Sequence, residues 1–280
     1  MDAATIIRRV RALTGTTRKQ IAQLADVSPS TISRIERGEL DPTWGTLSRI
    51  LEATGYRISG DSLVSAGDPT AIAAARSVLQ SDLVGSASEV LFVIGKETAS
   101  TFRALLEPTG EIAAEAARWI ARWTRAGWLS DKVSADDMVT LAVSAGNAGK
   151  LTRRNVVRRT VIAEGGWRLL ARELGDAGID YAVSGLLATR DDRVTAASIR
   201  PVIYVEDPVQ AVETLGLTET SSGRGVLLIA STGPELEGTE IDEGIRFVSR
   251  MQGVLDAFAG SGREPDKAED VLRHLLVASA

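Results

Sequence analysis

The chain has no cysteine and a single histidine in 280 residues. A disulfide framework and any cysteine-ligated metal site are therefore excluded, and a histidine-based catalytic set would have to rest on His274 alone. That residue lies in a leucine-rich C-terminal segment and reads as a surface or packing position. Aromatic residues make up only 4% of the chain, and no ring of them marks a ligand cage. No apolar run approaches a membrane span, and the opening MDAATIIRRV reads as a helix rather than an export leader. The expectation is a cytoplasmic protein with no membrane partner, no cofactor, no metal ligand and no catalytic residue: a binding protein, not an enzyme.

Positive charge is also scarce, with a formal net charge of -5. The balance is uneven. Residues 1–60 hold nine Arg and Lys against six Asp and Glu, a net of +3, which leaves -8 for the remainder. A small basic module joined to an acidic body fits a nucleic-acid reader whose larger part does not coat DNA.

Residues 14–58 carry the strongest pattern. Thr17 opens a short helix with Ile21, Ala22, Leu24 and Ala25 on one face; Asp26 breaks it and Val27 fills the turn. Ser28 reads as an N-cap and Pro29 as the first helical residue, where its missing N–H costs nothing. Ile32, Ile35 and Glu36 then hold the bundle, and Gly38 ends the helix. Ser28, Ser30, Thr31, Ser33, Arg34 and Arg37 form the outer face: small hydroxyls that permit close approach to base edges, and two guanidiniums for guanine or phosphate. Arg18 and Lys19 add cations at the preceding helix. Pro42 leads to a fourth helix with Leu47, Ile50 and Leu51 inward and Gly55 as its stop, and Ile6, Ile7, Val10 and Leu13 give an opening helix.

The string LADVSPSTISRIERGELDP resembles the Xre/Cro-type helix-turn-helix repressors. Those domains often place Gln at the start of the second helix, where this chain has Arg18. The resemblance implies a homodimer on double-stranded DNA, at an operator with an inverted repeat.

Beyond Ile58 the composition shifts. Residues 59–69, SGDSLVSAGDP, read as a linker, 70–165 as a mainly helical middle region and 166–280 as an α/β domain. The expected fold class is thus α+β and multidomain. In the middle region VLFVIG at 90–95 is a strand or part of a helix, and Gly95–Thr98 fails as a phosphate loop for want of a glycine and a hydroxyl. Glu111 to Gly127 reads as a helix whose Trp119 and Trp123 suit a packed core or a dimer face. Arg153, Arg154, Arg158 and Arg159 would form one basic helical stripe, a second DNA surface or a solvated face. From Trp167 the order is helix, strand, helix, strand, helix, strand, with two closing helices.

The strings GWRLLARELGDAGIDYAVSGLLATR, PVIYVEDP and VSRMQGVLDAFAGSGREPDKAEDVLRHLL resemble the C-terminal domain of AbiEi-type antitoxins of type IV toxin–antitoxin systems. The resemblance implies an autorepressed operon and a nucleotidyltransferase-like toxin as functional partner, bound directly or not. Two other readings are an Xre-type regulator with a ligand-sensing body, and a nucleotidyltransferase-like enzyme. The second is weakened because Glu206 and Asp207 are adjacent, and would point to opposite faces of a strand, whereas two metal-binding carboxylates on one strand need a spacing of two.

Overall fold

A computed structural model describes residues 2–84, 110–130, 133–189, 199–222 and 225–278. The stretches at 90–95 and Gly95–Thr98 lie outside the described residues. Two compact units divide the chain: Met1–Arg154 with Arg273–Ala280, and Asn155–Leu272.

The first unit is helical. Helices α1 (Ala3–Thr14), α2 (Arg18–Ala25), α3 (Pro29–Glu36) and α4 (Trp44–Ala53) follow the expected order. Their apolar residues Ile7, Val10, Ile21, Ala22, Ile32, Ile35 and Ile50 are all fully buried, although Leu13, expected inward, is half exposed. After α4 the expected linker is instead a β-hairpin, β1 (Tyr56–Ser59) and β2 (Ser62–Ser65), antiparallel with Ser59 opposite Ser62. The Gly, Ser and Asp that suggest flexibility are turn formers here: Gly60, at φ 57°, starts a two-residue loop that L side chains disfavour.

The hairpin leads into α5 (Pro69–Val84), which packs against α6 (Gly110–Ala126) and α7 (Ala135–Ala148); α6 also packs against α2, and α7 meets α1. Ser65 Oγ donates to Asn147 O at 2.5 Å, and a Cβ at Gly55 would lie 2.7 Å from Ala148 Cα. The expected head and middle region therefore belong to one unit. Its core holds Trp119 and Trp123, 1% and 0% exposed, with ring centroids 5.7 Å apart. Their indole N–H groups donate to Asp68 and Ser144. Burial within the chain removes both tryptophans as a dimer face.

The second unit is a seven-stranded mixed sheet with helices. In sheet order the strands are β6 (Thr218–Glu219), β3 (Arg158–Ile162), β7 (Val226–Ala230), β5 (Val202–Val205), β4 (Tyr181–Ser184), β9 (Ile245–Phe247) and β8 (Glu240–Asp242). Pairs β5–β7 and β4–β9 are parallel; the others are antiparallel. Strands β4 and β5 are buried at every residue, so both their faces are covered, as their continuous apolar runs require. The helices are α8 (Trp167–Asp176), α9 (Pro208–Leu215), α10 (Arg250–Phe258) and α11 (Glu264–Ala278), the last extending past the unit boundary. The expected α/β order from Trp167 holds for α8, β4, β5, α9 and β7, but the expected helix after β4 is a 3₁₀ turn (Gly185–Thr189), and the short strands β6, β8 and β9 are additional. The sheet also begins earlier, because β3 lies within the segment assigned to a basic helix.

Candidate nucleic-acid interface

The interface is built by caps. Thr17 and Gln20 form a reciprocal capping box at α2, with Thr17 N donating to Gln20 Oε1 at 2.9 Å and Gln20 N to Thr17 Oγ1 at 3.2 Å. Asp26, at φ 54°, turns the chain into the left-handed region, and Val27 N returns to Ala22 O at 2.9 Å. Ser28 then caps α3: its Oγ accepts from Thr31 N at 3.1 Å, with Pro29 at the first helical position. At the other end Gly38 N donates to Ile35 O and Glu39 N to Arg34 O, both at 2.9 Å, a Schellman closure that needs the positive φ of Gly38. An eight-residue helix is thus fixed at both ends and by Ile32 and Ile35 beneath.

Its outward residues divide into committed and open groups. Ser30 and Arg34 are exposed, and Thr31 and Ser33 are half exposed. Ser28 spends its hydroxyl on the cap and on contacts to Ser30 Oγ and Thr31 Oγ1 at 2.8 and 2.7 Å. Arg37 is held by Glu39. Among the described residues Arg34 makes no side-chain hydrogen bond or ion pair, which leaves its fork open to a base edge.

Arg18 and Lys19 sit across an open depression of about 650 Å3, lined also by Arg8, Arg11, Gly15, Thr16 and Thr17. This is a cationic groove at the start of α2, suited to phosphate. Arg18 differs from a free phosphate ligand, because its Nε donates to Oε2 of Glu36, a carboxylate whose side chain is 2% exposed. Arg11 Nε lies 3.0 Å from the other oxygen as an ion pair. Glu36 therefore holds the bundle, as its sequence position suggests, and does so by binding Arg11 and also Arg18, which the sequence pattern assigns to DNA.

The second basic surface is not a helical stripe. Arg153 ends a 3₁₀ turn (Leu151–Arg153); Arg154 is buried, its Nε donating to Gly149 O at 3.1 Å. Arg158 and Arg159 stand on β3, where successive side chains alternate faces, and Arg159 Nε lies 3.4 Å from Glu219 Oε1. The i, i+4 reasoning fails because the chain leaves helical geometry at Gly149.

The helix-turn-helix is braced from within its own unit. Arg125, at the end of α6, donates Nε to Gln23 O at 3.2 Å and Nη2 to Leu24 O at 3.3 Å, adding donors to carbonyls of the last turn of α2. Arg122, stacked over Trp119 at 4.6 Å, has its pKa lowered by burial, an effect opposed by the Glu52 and Asp68 carboxylates. Sequence spacing gives no sign of the Arg125 contact, which joins elements about a hundred residues apart. Trp44, the first residue of α4 and 67% exposed, is likewise unannounced.

In the second unit Ser184 Oγ, Tyr204 Oη and Gln252 Nε2 all donate to Asp256 Oδ2, at 2.6, 3.0 and 3.0 Å. All four residues are buried. The Ser184–Gly185 turn packs so closely on α10 that a Cβ at Gly253 would lie 2.8 Å from Gly185 O. Asp207 caps α9, accepting from Val209 N and Gln210 N, while Glu206 is exposed. Among the described residues no group of three or more His, Asp or Glu is placed to hold a metal, and no helix is long and apolar enough to cross a membrane. His274 is exposed on α11.

Residues 7–60 match the helix-turn-helix family model. No curated protein and no solved structure matches the chain. The match runs from α1 to β1 and includes α2, its turn and α3, whose outward hydroxyls and open guanidinium have just been described, so the chain is a DNA-binding transcription regulator with an N-terminal helix-turn-helix.

Proposed function

We propose that the chain is a repressor of its own operon that binds an inverted repeat as a dimer on DNA. The observation that carries this reading is the α3 surface: Ser30, Thr31, Ser33 and the open Arg34 on a helix fixed by caps at both ends. One such helix reads only a few base pairs, so two copies on one face of the duplex, one helical turn or a multiple apart, supply useful specificity. Footprinting of the region upstream of the gene tests it. A two-fold-symmetric protected site is expected; equal affinity for that fragment and for scrambled DNA would remove the reading.

The finer reading is an antitoxin acting against a nucleotidyltransferase-like toxin, and it is a binding role rather than an enzymatic one. Its support is the resemblance of three separate strings, and these strings meet physically. Ser184 comes from the first, Tyr204 from the second, and Gln252 and Asp256 from the third. Together they describe one packed arrangement. Against catalysis stand the burial of the Ser184–Gly185 turn and the use of Asp207 as a helix cap. The adjacent gene is the first test, a nucleotidyltransferase-like reading frame being expected. Because the N-terminal helices share a unit with α5–α7, the second test uses the whole chain. Ser30→Ala with Arg34→Ala, expressed from an unrelated promoter, should still neutralise the toxin while failing to repress. Restored toxicity would tie protection to DNA binding and end the two-role reading.

A further inference from the structure

Arg37 closes the recognition helix, and Glu39 follows across the left-handed Gly38. The Schellman closure folds the chain back beside the last turn of α3, which brings the two side chains together. They meet as a fork, Arg37 Nε to Glu39 Oε1 at 2.5 Å and Nη2 to Oε2 at 2.8 Å. Both are exposed, with side chains 57% and 50% accessible. The pair reinforces both charges: the hydrogen bond to Glu39 raises the Arg37 pKa, and the hydrogen bond to Arg37 lowers that of Glu39, which also feels the charge of Arg34.

An exposed ion pair contributes little to folding, so stability does not account for this geometry. Its position does more. Arg37 is one of two guanidiniums on or flanking the outer face of α3, and any cation there that reaches a phosphate adds affinity for every sequence alike. We propose that Glu39 is a specificity-determining residue: it holds the Arg37 guanidinium away from phosphate and places a carboxylate beside the reading surface, lowering sequence-independent binding relative to binding of the operator. Arg34 and the α3 hydroxyls then carry a larger share of the total. The proposal rests on α3 being the reading helix.

The test uses the full chain as wild type, Glu39→Gln, Arg37→Ala and the double variant. Each is titrated with the footprinted duplex and with a scrambled duplex of equal length, between about 50 and 200 mM salt. Glu39→Gln is expected to tighten binding to the scrambled duplex about three- to tenfold, to steepen its salt slope by about 0.9, and to narrow the preference for the footprinted duplex. In the Arg37→Ala background the same change should leave the slope where it was. An unchanged scrambled-duplex affinity on Glu39→Gln would overturn the proposal, as would a gain that persists in full without Arg37. If the wild type itself does not distinguish the two duplexes, the assignment of α3 falls; if it does and Glu39 is silent, only the present inference falls.

Discussion

Arg18, the first residue of α2, donates its Nε to the buried carboxylate of Glu36 at the end of α3, and Arg11 of α1 flanks the other oxygen. One carboxylate thus ties together three of the four helices of the DNA-reading bundle. Arg18→Ala leaves that carboxylate with Arg11 alone and should cost about 1–2 kcal/mol, less than breaking a fully buried pair because Arg18 is half exposed. Denaturant titration checks this. A midpoint equal to wild type would mean that Arg11 suffices.

Arg34 and Lys19 should separate cleanly. Arg34→Ala is expected to lose about 1–3 kcal/mol on the operator and to relax preference at one base position. Lys19→Ala, in the cationic groove, should weaken all sequences alike and reduce the salt slope by about 0.9. Equal losses on operator and scrambled DNA for Arg34→Ala would reassign Arg34 to the backbone.

Arg125 ties α6 to the last turn of α2 through two carbonyls. In the full chain Arg125→Ala should loosen that turn by about 0.5–1.5 kcal/mol. The readout is hydrogen exchange at the Val27 amide, which bonds to Ala22 O. Exchange as slow as in the wild type would show that α2 holds its C-terminal turn unaided.

Asp256 is the acceptor for three buried donors. Asp256→Ala strands all of them and should cost about 3 kcal/mol or more, against about 1 kcal/mol each for Ser184→Ala and Tyr204→Phe. The Ser184 and Tyr204 changes share one acceptor, so their combined cost should differ from the sum. Strict additivity in a thermal unfolding cycle would show that the hydrogen bonds do not act as a network.

The helix-turn-helix was legible because its rules are local. An N-cap serine, a proline at the first helical position, a glycine at the C-terminal turn and isoleucines three apart each act within one or two helical turns, and the structure keeps every one of them. The buried strands β4, β5 and β7 were legible for the same reason, as short apolar runs between turn residues, whereas the three-residue β9 carries too short a run to stand out. Residues 150–161 misled the same reasoning. Arginine spacing fits a helical stripe equally well as a strand, and pairing of β3 with β6 and β7, more than fifty residues away, decided the matter. The stretch 59–69 misled it too, since Gly, Ser and Asp serve a flexible linker and a tight hairpin alike until a partner surface, here the end of α7, is present. Charge partners were the least legible. Composition counted Arg18, Arg37 and Arg154 simply as cations, but each is engaged by a group that the fold delivers: a buried carboxylate eighteen residues on, a carboxylate folded back around Gly38, and a backbone carbonyl at a helix end. Short-range backbone chemistry determined the helix-turn-helix and the residues on the outer face of α3; only the tertiary structure decided which of the neighbouring charges remain open, because electrostatic pairing depends on distances that the order of residues does not contain.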